Sequence, residues 1–452
     1  MRITRTETDT GVLLWLAFAV LLCYANAFNA DFQFDDYKVI VNNPRVHSWA
    51  SWAEGLTLGI RPLLKASYTF NWTTGMGVTG FHLTNMLIHL ANAYLVYLLA
   101  KTFVRQQWQA DTLKNAPFLA ALLFAVHPIH TEAVTYICGR STALMTLFYL
   151  AGLLTYISGR TQQSKIKVYA VTPLFFVIAL SIKETAVTFP LALLLWEYVC
   201  GGKWQRALKP QWTSWLVLVL GALVFLFSDS YLSQMERSAR FNSLQGNTAT
   251  QLYAFAYLLR QWAAPLWLNI DPSLPLQRDF SASLLPLLFF SALFLLMLTC
   301  WRKRPWISFA LAWVILQLIP LHLFLPRIDI ANDRQMYLAG WPLFLALAIE
   351  LTLWLNSRAL RLSVAALLLA LASLTVLRNL DYANEIALWE DTVKTSPDKA
   401  RVRNNLGYAY LLAQRKEEAR REFNLALQFD QQLNKARNNL YRLDAALPQV
   451  KH

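Results

Sequence analysis

The chain has 452 residues, of which 56% are hydrophobic and only 15% charged, against about 25% charged in ordinary soluble domains. Apolar runs take the place of the missing charges, which excludes a soluble globular domain. The net charge of +14 sits in short hydrophilic gaps between those runs, so membrane orientation explains it better than nucleic-acid binding does.

Crossing a hydrocarbon core takes roughly 17–25 helical residues. The apolar runs predict eleven spans near 11–28, 81–100, 117–133, 141–158, 168–182, 185–199, 212–228, 283–300, 306–325, 336–355 and 361–378. The first is read as an uncleaved signal anchor, although Arg2 and Arg5 precede it and Ala25-Asn26-Ala27 offers a match to a cleavage site. With a cytoplasmic N-terminus, the cytoplasmic gaps hold Lys101, Arg105 and Lys114, then Arg160, Lys165 and Lys167, then Lys203, Arg206 and Lys209, then Arg302, Lys303 and Arg304, then Arg358 and Arg361. Every gap is basic, as the positive-inside rule asks. The apolar segment from Gln251 to Leu268 carries Arg260, Gln261 and Pro265; as a span it would put Arg302-Lys303-Arg304 outside, so it is expected to be interfacial or re-entrant. The four cysteines, Cys23, Cys138, Cys200 and Cys300, show no CxxC or paired spacing, so neither a disulfide framework nor a zinc site is expected.

After Asn379 the composition turns polar while the helical period persists. Leu406-Gly407, Tyr410, Ala419, Phe423 and Ala426 stand at the offsets of tetratricopeptide packing residues. One repeat is expected over 400–433, with a half repeat around Trp389 and a capping helix around Leu440. Three repeats are usually needed for independent stability, so the tail is expected to lean on the membrane domain or on a partner. The fold class is thus an all-α polytopic membrane protein of about eleven transmembrane helices, residues 1–378, with a short extracytoplasmic helical tail, residues 379–452.

Ionisable groups beside apolar spans are expensive and mark candidate sites. On the outer side stand the adjacent carboxylates Asp35 and Asp36, then Arg61-Pro62-Leu63, then a polar stripe of His82, Asn85, His89 and Asn92. His127-Pro128-Ile129-His130-Thr131-Glu132 follows, with Arg140, then Lys183-Glu184, and then Arg327, Asp329, Asp333, Arg334 and Tyr337. Interhelical hydrogen bonding accounts for the stripe without chemistry. His127, His130 and Glu132 lack a fourth ligand and a strong zinc spacing, so no metal is assigned to them. Acids and fixed cations on one membrane face suit a phosphorylated lipid headgroup: Arg and Lys hold phosphate while a carboxylate takes a proton from an acceptor.

The ordered series Phe34-Asp35-Asp36 with Asn42-Asn43-Pro44, Arg61-Pro62-Leu63, Phe81-His82 with Asn85 and His89, His127 to Val134 with Gly139-Arg140, Lys183-Glu184, and Arg334 with Tyr337 resembles the transmembrane-and-tetratricopeptide-repeat O-mannosyltransferases, which are GT-C glycosyltransferases. The resemblance implies transfer of a mannose-like sugar from a polyprenyl-phosphate donor to Ser or Thr hydroxyls of an extracytoplasmic protein, with inversion. It implies a base at Asp35 or Asp36, with Glu132 as a further acid. Donor phosphate and sugar would be held among Arg61, His127, His130, Arg140, Lys183, Glu184, Arg334 and Tyr337. No cofactor motif appears, and the donor phosphate leaves room for a divalent cation. The tail is shorter than in the eukaryotic members, which points to a bacterial inner-membrane homologue with site and tail in the periplasm; in a eukaryote they would face the ER lumen. The partners implied are the lipid-linked sugar, membrane lipid and a protein acceptor, possible through the tail, and no nucleic acid. Sugar transfer to lipid A or to a glycan, and a non-catalytic scaffold or flippase whose tail recruits partners, are the alternatives.

The basic gaps generate a test of sidedness. Asp430→Cys is expected to react with a membrane-impermeant thiol reagent on intact cells, above the background of the native cysteines, and Arg302→Cys only after permeabilisation. The reverse labelling pattern would invert the topology.

Overall fold

The computed structural model describes residues 7–57, 60–107, 111–201, 208–227, 232–233, 236, 244–274, 284–322, 330–354 and 358–444. Arg2, Arg5, Lys203, Arg206, Arg327 and Asp329 of the topology above lie outside them. Every ordered element among the described residues is helical.

In chain order the helices are α1 (Glu7–Tyr24), α2 (Trp49–Glu54), α3 (Pro62–Thr73), α4 (Gly77–Gln107), α5 (Ala116–Val126), α6 (Thr131–Val134), α7 (Arg140–Thr161), α8 (Thr172–Ile182), α9 (Phe189–Gly201) and α10 (Trp212–Leu226). They continue as α11 (Leu244–Ala263), α12 (Leu284–Cys300), α13 (Pro305–His322), α14 (Met336–Ala339), α15 (Trp341–Trp354), α16 (Arg358–Asp381), α17 (Glu385–Thr395), α18 (Ala400–Leu412), α19 (Lys416–Phe429) and α20 (Asn434–Asp444). The described residues of the eleven apolar runs are helical apart from the breaks at His127 and Gly340 and the turn at Phe227. Five helical stretches, Asp9–Asn29, Gly77–Gln107, Ile137–Thr161, Lys209–Leu226 and Arg361–Asp381, are long and apolar enough to cross a membrane alone, and two bent pairs bring the number to seven. The run 117–133 bends by 53° and the run 336–355 by 65°. At the first bend His127 is extended ahead of Pro128, as the residue before a proline prefers. The segment 251–268 is mostly α11, which is not among the long apolar helices.

Two faces carry the charges. On one, Lys101 and Tyr97 bind the Asp9 carboxylate, Arg160 Nε meets Glu197 at 2.7 Å, and Arg304 meets Glu350 at 2.9 Å. At the opposite helix ends lie the Arg61–Glu184 and Arg334–Glu132 pairs. Between the faces, α4, α5 and α7 form the interior, while Leu14, Trp15 and Phe18 of α1, Leu220 and Val224 of α10, and Leu285 of α12 are exposed. Such an apolar exterior suits lipid. The polar stripe of α4 holds the bundle together: His82 bonds the Ala30 carbonyl, Asn85 that of Val134, His89 that of Ala125 and Asn92 that of Ala143.

α16 runs past the expected boundary at 378 to Asp381, and α17 to α20 follow as a helical tail. Tyr136 and Ile270 of the membrane domain share one apolar cluster with Trp389, Leu406, Tyr410 and Phe423 of the tail. Lys399 and Arg401 grip the buried Asp271 carboxylate, and Asn269 donates to Ser396 Oγ at 2.8 Å. The tail therefore completes its core against the membrane domain.

Gly407 lets α18 and α19 close. A Cβ there would lie 2.8 Å from two ring carbons of Phe423 and 3.2 Å from the Ala419 carbonyl oxygen. Phe423 is fully buried and has no room to yield. Overpacking costs about 1–3 kcal/mol and should outweigh the gain of about 1 kcal/mol in helix propensity. Gly407→Ala is expected to make the tail more susceptible to limited proteolysis. Equal or greater resistance would show that the contact is not limiting.

Candidate active site

The two carboxylates of the loop after α1 have different surroundings. Asp36 is buried, and its Oδ2 accepts the Gln33 N–H at 3.1 Å while its Oδ1 accepts the Cys138 N–H at 2.8 Å. It fastens the loop to the turn between α6 and α7. Asp35 is half-buried, and its N–H donates to the Tyr136 hydroxyl at 3.2 Å.

The tail holds the residue before it. Phe34 has φ of 47°, a left-handed conformation that costs a bulky residue about 1–3 kcal/mol. Its N–H donates to Glu385 Oε1 at 2.8 Å and its ring meets Trp389 edge-on at 5.1 Å. Asp31 N–H donates to the Ala383 carbonyl at 3.1 Å, and Gln33 Nε2 to that of Tyr382. The tail thereby fixes the backbone that presents Asp35.

Glu132 and Arg334 stand beside Asp35. Glu132 is buried and accepts the Arg334 N–H at 2.9 Å, and the Arg334 side chain pairs with it at 3.4 Å. Gly139 makes this packing possible, since a Cβ there would lie 2.0 Å from the Glu132 carbonyl oxygen. Asp35, Glu132, Tyr136 and Arg334 line a cleft of about 10 Å³, room for about one water. On its other side Asp35 opens on a groove of about 570 Å³ between the loop and the tail.

The other expected site residues lie elsewhere. Arg61 is bidentate to Glu184 at 3.0 and 2.6 Å, and Lys183 donates to Thr142 at 2.6 Å. None of these lines the cleft or the groove. Lys65 joins that corner: burial and the neighbouring Arg45 and Arg61 push its ammonium below the ordinary value. Arg140 is interior: it is fully buried and donates to Asn85 at 2.6 Å, to Ser67 O at 3.0 Å and to Phe81 O at 2.9 Å, with its guanidinium over the Tyr68 ring. Tyr337 is likewise interior, its hydroxyl taken by His89 and Asn92. His127 and His130 are buried among Phe124, Trp262 and Phe344. Among the described residues no three His, Cys, Asp or Glu side chains form a metal-binding group. Sequence reasoning missed Tyr136, Glu385 and Trp389, which hold Asp35 and its neighbour. The docking of the tail brings Glu385 and Trp389 there, and the turn between α6 and α7 brings Tyr136.

Burial pushes the Asp36 carboxyl up to about 7 from an ordinary 3.8, against the hydrogen bonds from Cys138 and Gln33, and the charge of Asp35 adds to the rise. The folded chain therefore holds this proton more tightly than the unfolded chain between about pH 4 and 7. Its contribution to stability is full below that window and is lost as pH rises through about 7. Asp36→Asn should flatten the fall of Tm between about pH 4 and 7, read by thermal unfolding. An unchanged slope would show that Asp36 does not titrate there.

No family model matches the chain. A protein O-mannosyl-transferase of Caenorhabditis elegans is 25% identical over 432 residues, covering 89% of this chain and 60% of the relative. One of Drosophila melanogaster is 25% identical over 489 residues, 88% of this chain and 52% of the relative. One of Mus musculus is 34% identical over 204 residues, 39% of this chain and 21% of the relative. The chain thus spans between about a fifth and three fifths of the length of these relatives. The likeness extends over nearly all of this chain in two of the three, so the chain is similar along most of its length to proteins named protein O-mannosyl-transferases.

Proposed function

We propose that the chain is a GT-C glycosyltransferase that moves a sugar, mannose by analogy with its relatives, from a polyprenyl-phosphate donor to Ser or Thr hydroxyls of an extracytoplasmic protein. The observation that carries this reading is the position of Asp35, a half-exposed carboxylate shared by a cleft holding Arg334 and a groove shared with the tail. Asp36 has the wrong surroundings for the base, since both its oxygens accept backbone N–H groups away from solvent.

The acceptor hydroxyl is a poor nucleophile until a base within hydrogen-bond reach takes its proton. In the proposed step Asp35 accepts that proton as the hydroxyl oxygen attacks the anomeric carbon. The bond from that carbon to the phosphate oxygen breaks, and lipid phosphate leaves with the electron pair. One displacement inverts the anomeric centre. Arg334 meets the growing phosphate charge, and Glu132 sets its position. The opening of the groove toward the tail favours a protein acceptor over lipid A or a glycan.

Asp35→Asn should lower transfer to an acceptor peptide by about 10²–10⁴ while donor binding survives. Arg334→Ala should cost about 1.5–3 kcal/mol, roughly ten- to a hundredfold in turnover at limiting donor, and Arg302→Ala, on the opposite face, should cost little. Purified variants at matched amounts give the comparison. Equal activity of Arg334→Ala and Arg302→Ala would remove Arg334 from the site, and full transfer by Asp35→Asn would move the base to Asp36 or Glu132.

A further inference from the structure

We infer that the groove between the first outer loop and the tail grips an extended, unfolded stretch of acceptor polypeptide by its main chain. The grip comes from two asparagine pairs, Asn404-Asn405 and Asn438-Asn439. Delivery of a Ser or Thr to Asp35 rests on the transferase reading above; the binding does not.

The pairs are related by an internal repeat. Arg403-Asn404-Asn405-Leu406 on α18 recurs as Arg437-Asn438-Asn439-Leu440 on α20, 34 positions later, the period of a tetratricopeptide repeat. Asn404, Asn405, Asn438 and Asn439 all line the one groove with Asp35. At about 570 Å³ it takes a few residues of extended chain and no folded domain. The two pairs adjoin, since Asn439 bonds Asn404 at 3.0 Å, so a short stretch of extended chain rising about 3.3 Å per residue would meet both.

Asparagine suits this task because its carboxamide offers an acceptor and two donors without charge. It matches the N–H and C=O of any peptide bond whatever the side chains. The groove already contains a chain of amides: Asn439 Nδ2 donates to Asn404 Oδ1 at 3.0 Å, and Asn404 Nδ2 to Asn405 Oδ1 at 3.3 Å. It ends at Asn405 Nδ2, a buried donor with no partner among the described residues. A buried donor left unmade is unfavourable; Asn405 lines the groove, and rotation of its amide toward the groove would offer that donor to a carbonyl of a bound strand. Asn438 is exposed at the other pair. Asp35 lines both this groove and the cleft with Arg334, so a hydroxyl on the gripped strand lies next to the proposed base.

The test uses the full chain in lipid nanodiscs without donor and a labelled, unstructured Ser- and Thr-containing peptide long enough to cross both pairs, read by fluorescence anisotropy. Asn405→Ala with Asn438→Ala should raise Kd about tenfold or more. N-methylation of alternate peptide bonds should weaken binding to the unaltered chain by a similar factor, which needs no variant to fold. A scrambled peptide of the same composition should bind as tightly as the original. Unchanged affinity on N-methylation, or loss of affinity on scrambling, would overturn main-chain recognition. Adding donor separates the two readings: peptide that binds as described and receives no sugar contradicts the transferase reading alone. Transfer by the asparagine variant with an unchanged KM for the peptide contradicts the groove alone.

Discussion

The loop after α1 depends on one buried carboxylate. Asp36 receives backbone N–H groups from Gln33 and Cys138, two points about a hundred residues apart in sequence, and so joins that loop to the start of α7. Because Asp36 is spent on this tie, its neighbour Asp35 is the acid left facing the cleft and groove. The raised affinity of Asp36 for its proton is the cost of burying that charge.

The same economy governs the rest of the membrane domain. Lipid offers no partners for polar groups, so the imidazoles and amides of α4 bond carbonyls of neighbouring helices, and the Arg140 guanidinium is surrounded by acceptors and aromatic rings. These contacts fix α4 against the bends after α5 and before α15. The bends bring Glu132 and Arg334 together across 202 positions of sequence. The tail adds a further constraint, since Glu385 and Trp389 hold Phe34 in its left-handed conformation.

Most of the helices were legible in the sequence, because lipid contact forces apolar composition onto the runs now seen as α1, α4, α7, α10 and α16. The helix α3 was not, since it is amphipathic and lies in an outer loop. The breaks at Pro128 and at Gly340 were visible as residues but not as bends of 53° and 65°. Asp35, Asp36 and Glu132 stand out in the sequence as candidates; the interior place of Arg140, Tyr337, His127 and His130 does not, because a motif carries no information on burial. The asparagine pairs stand in the sequence as a repeat, but the packing residues Leu406, Gly407 and Phe423 carry no information on the groove face. That face acquires meaning only when the tail is docked against Phe34 and Asp35.

A fixed acid, a cation paired to a second acid and a groove meet at one end of the bundle. The central proposal is that sugar leaves the lipid at Asp35 and arrives on protein. The most direct measurement is mass spectrometry of extracytoplasmic proteins from cells lacking the chain, complemented either with it or with Asp35→Asn at equal expression. The account predicts hexose on Ser or Thr of a defined set of peptides with the unaltered chain and its loss with Asp35→Asn. The same glycopeptides in both would contradict it.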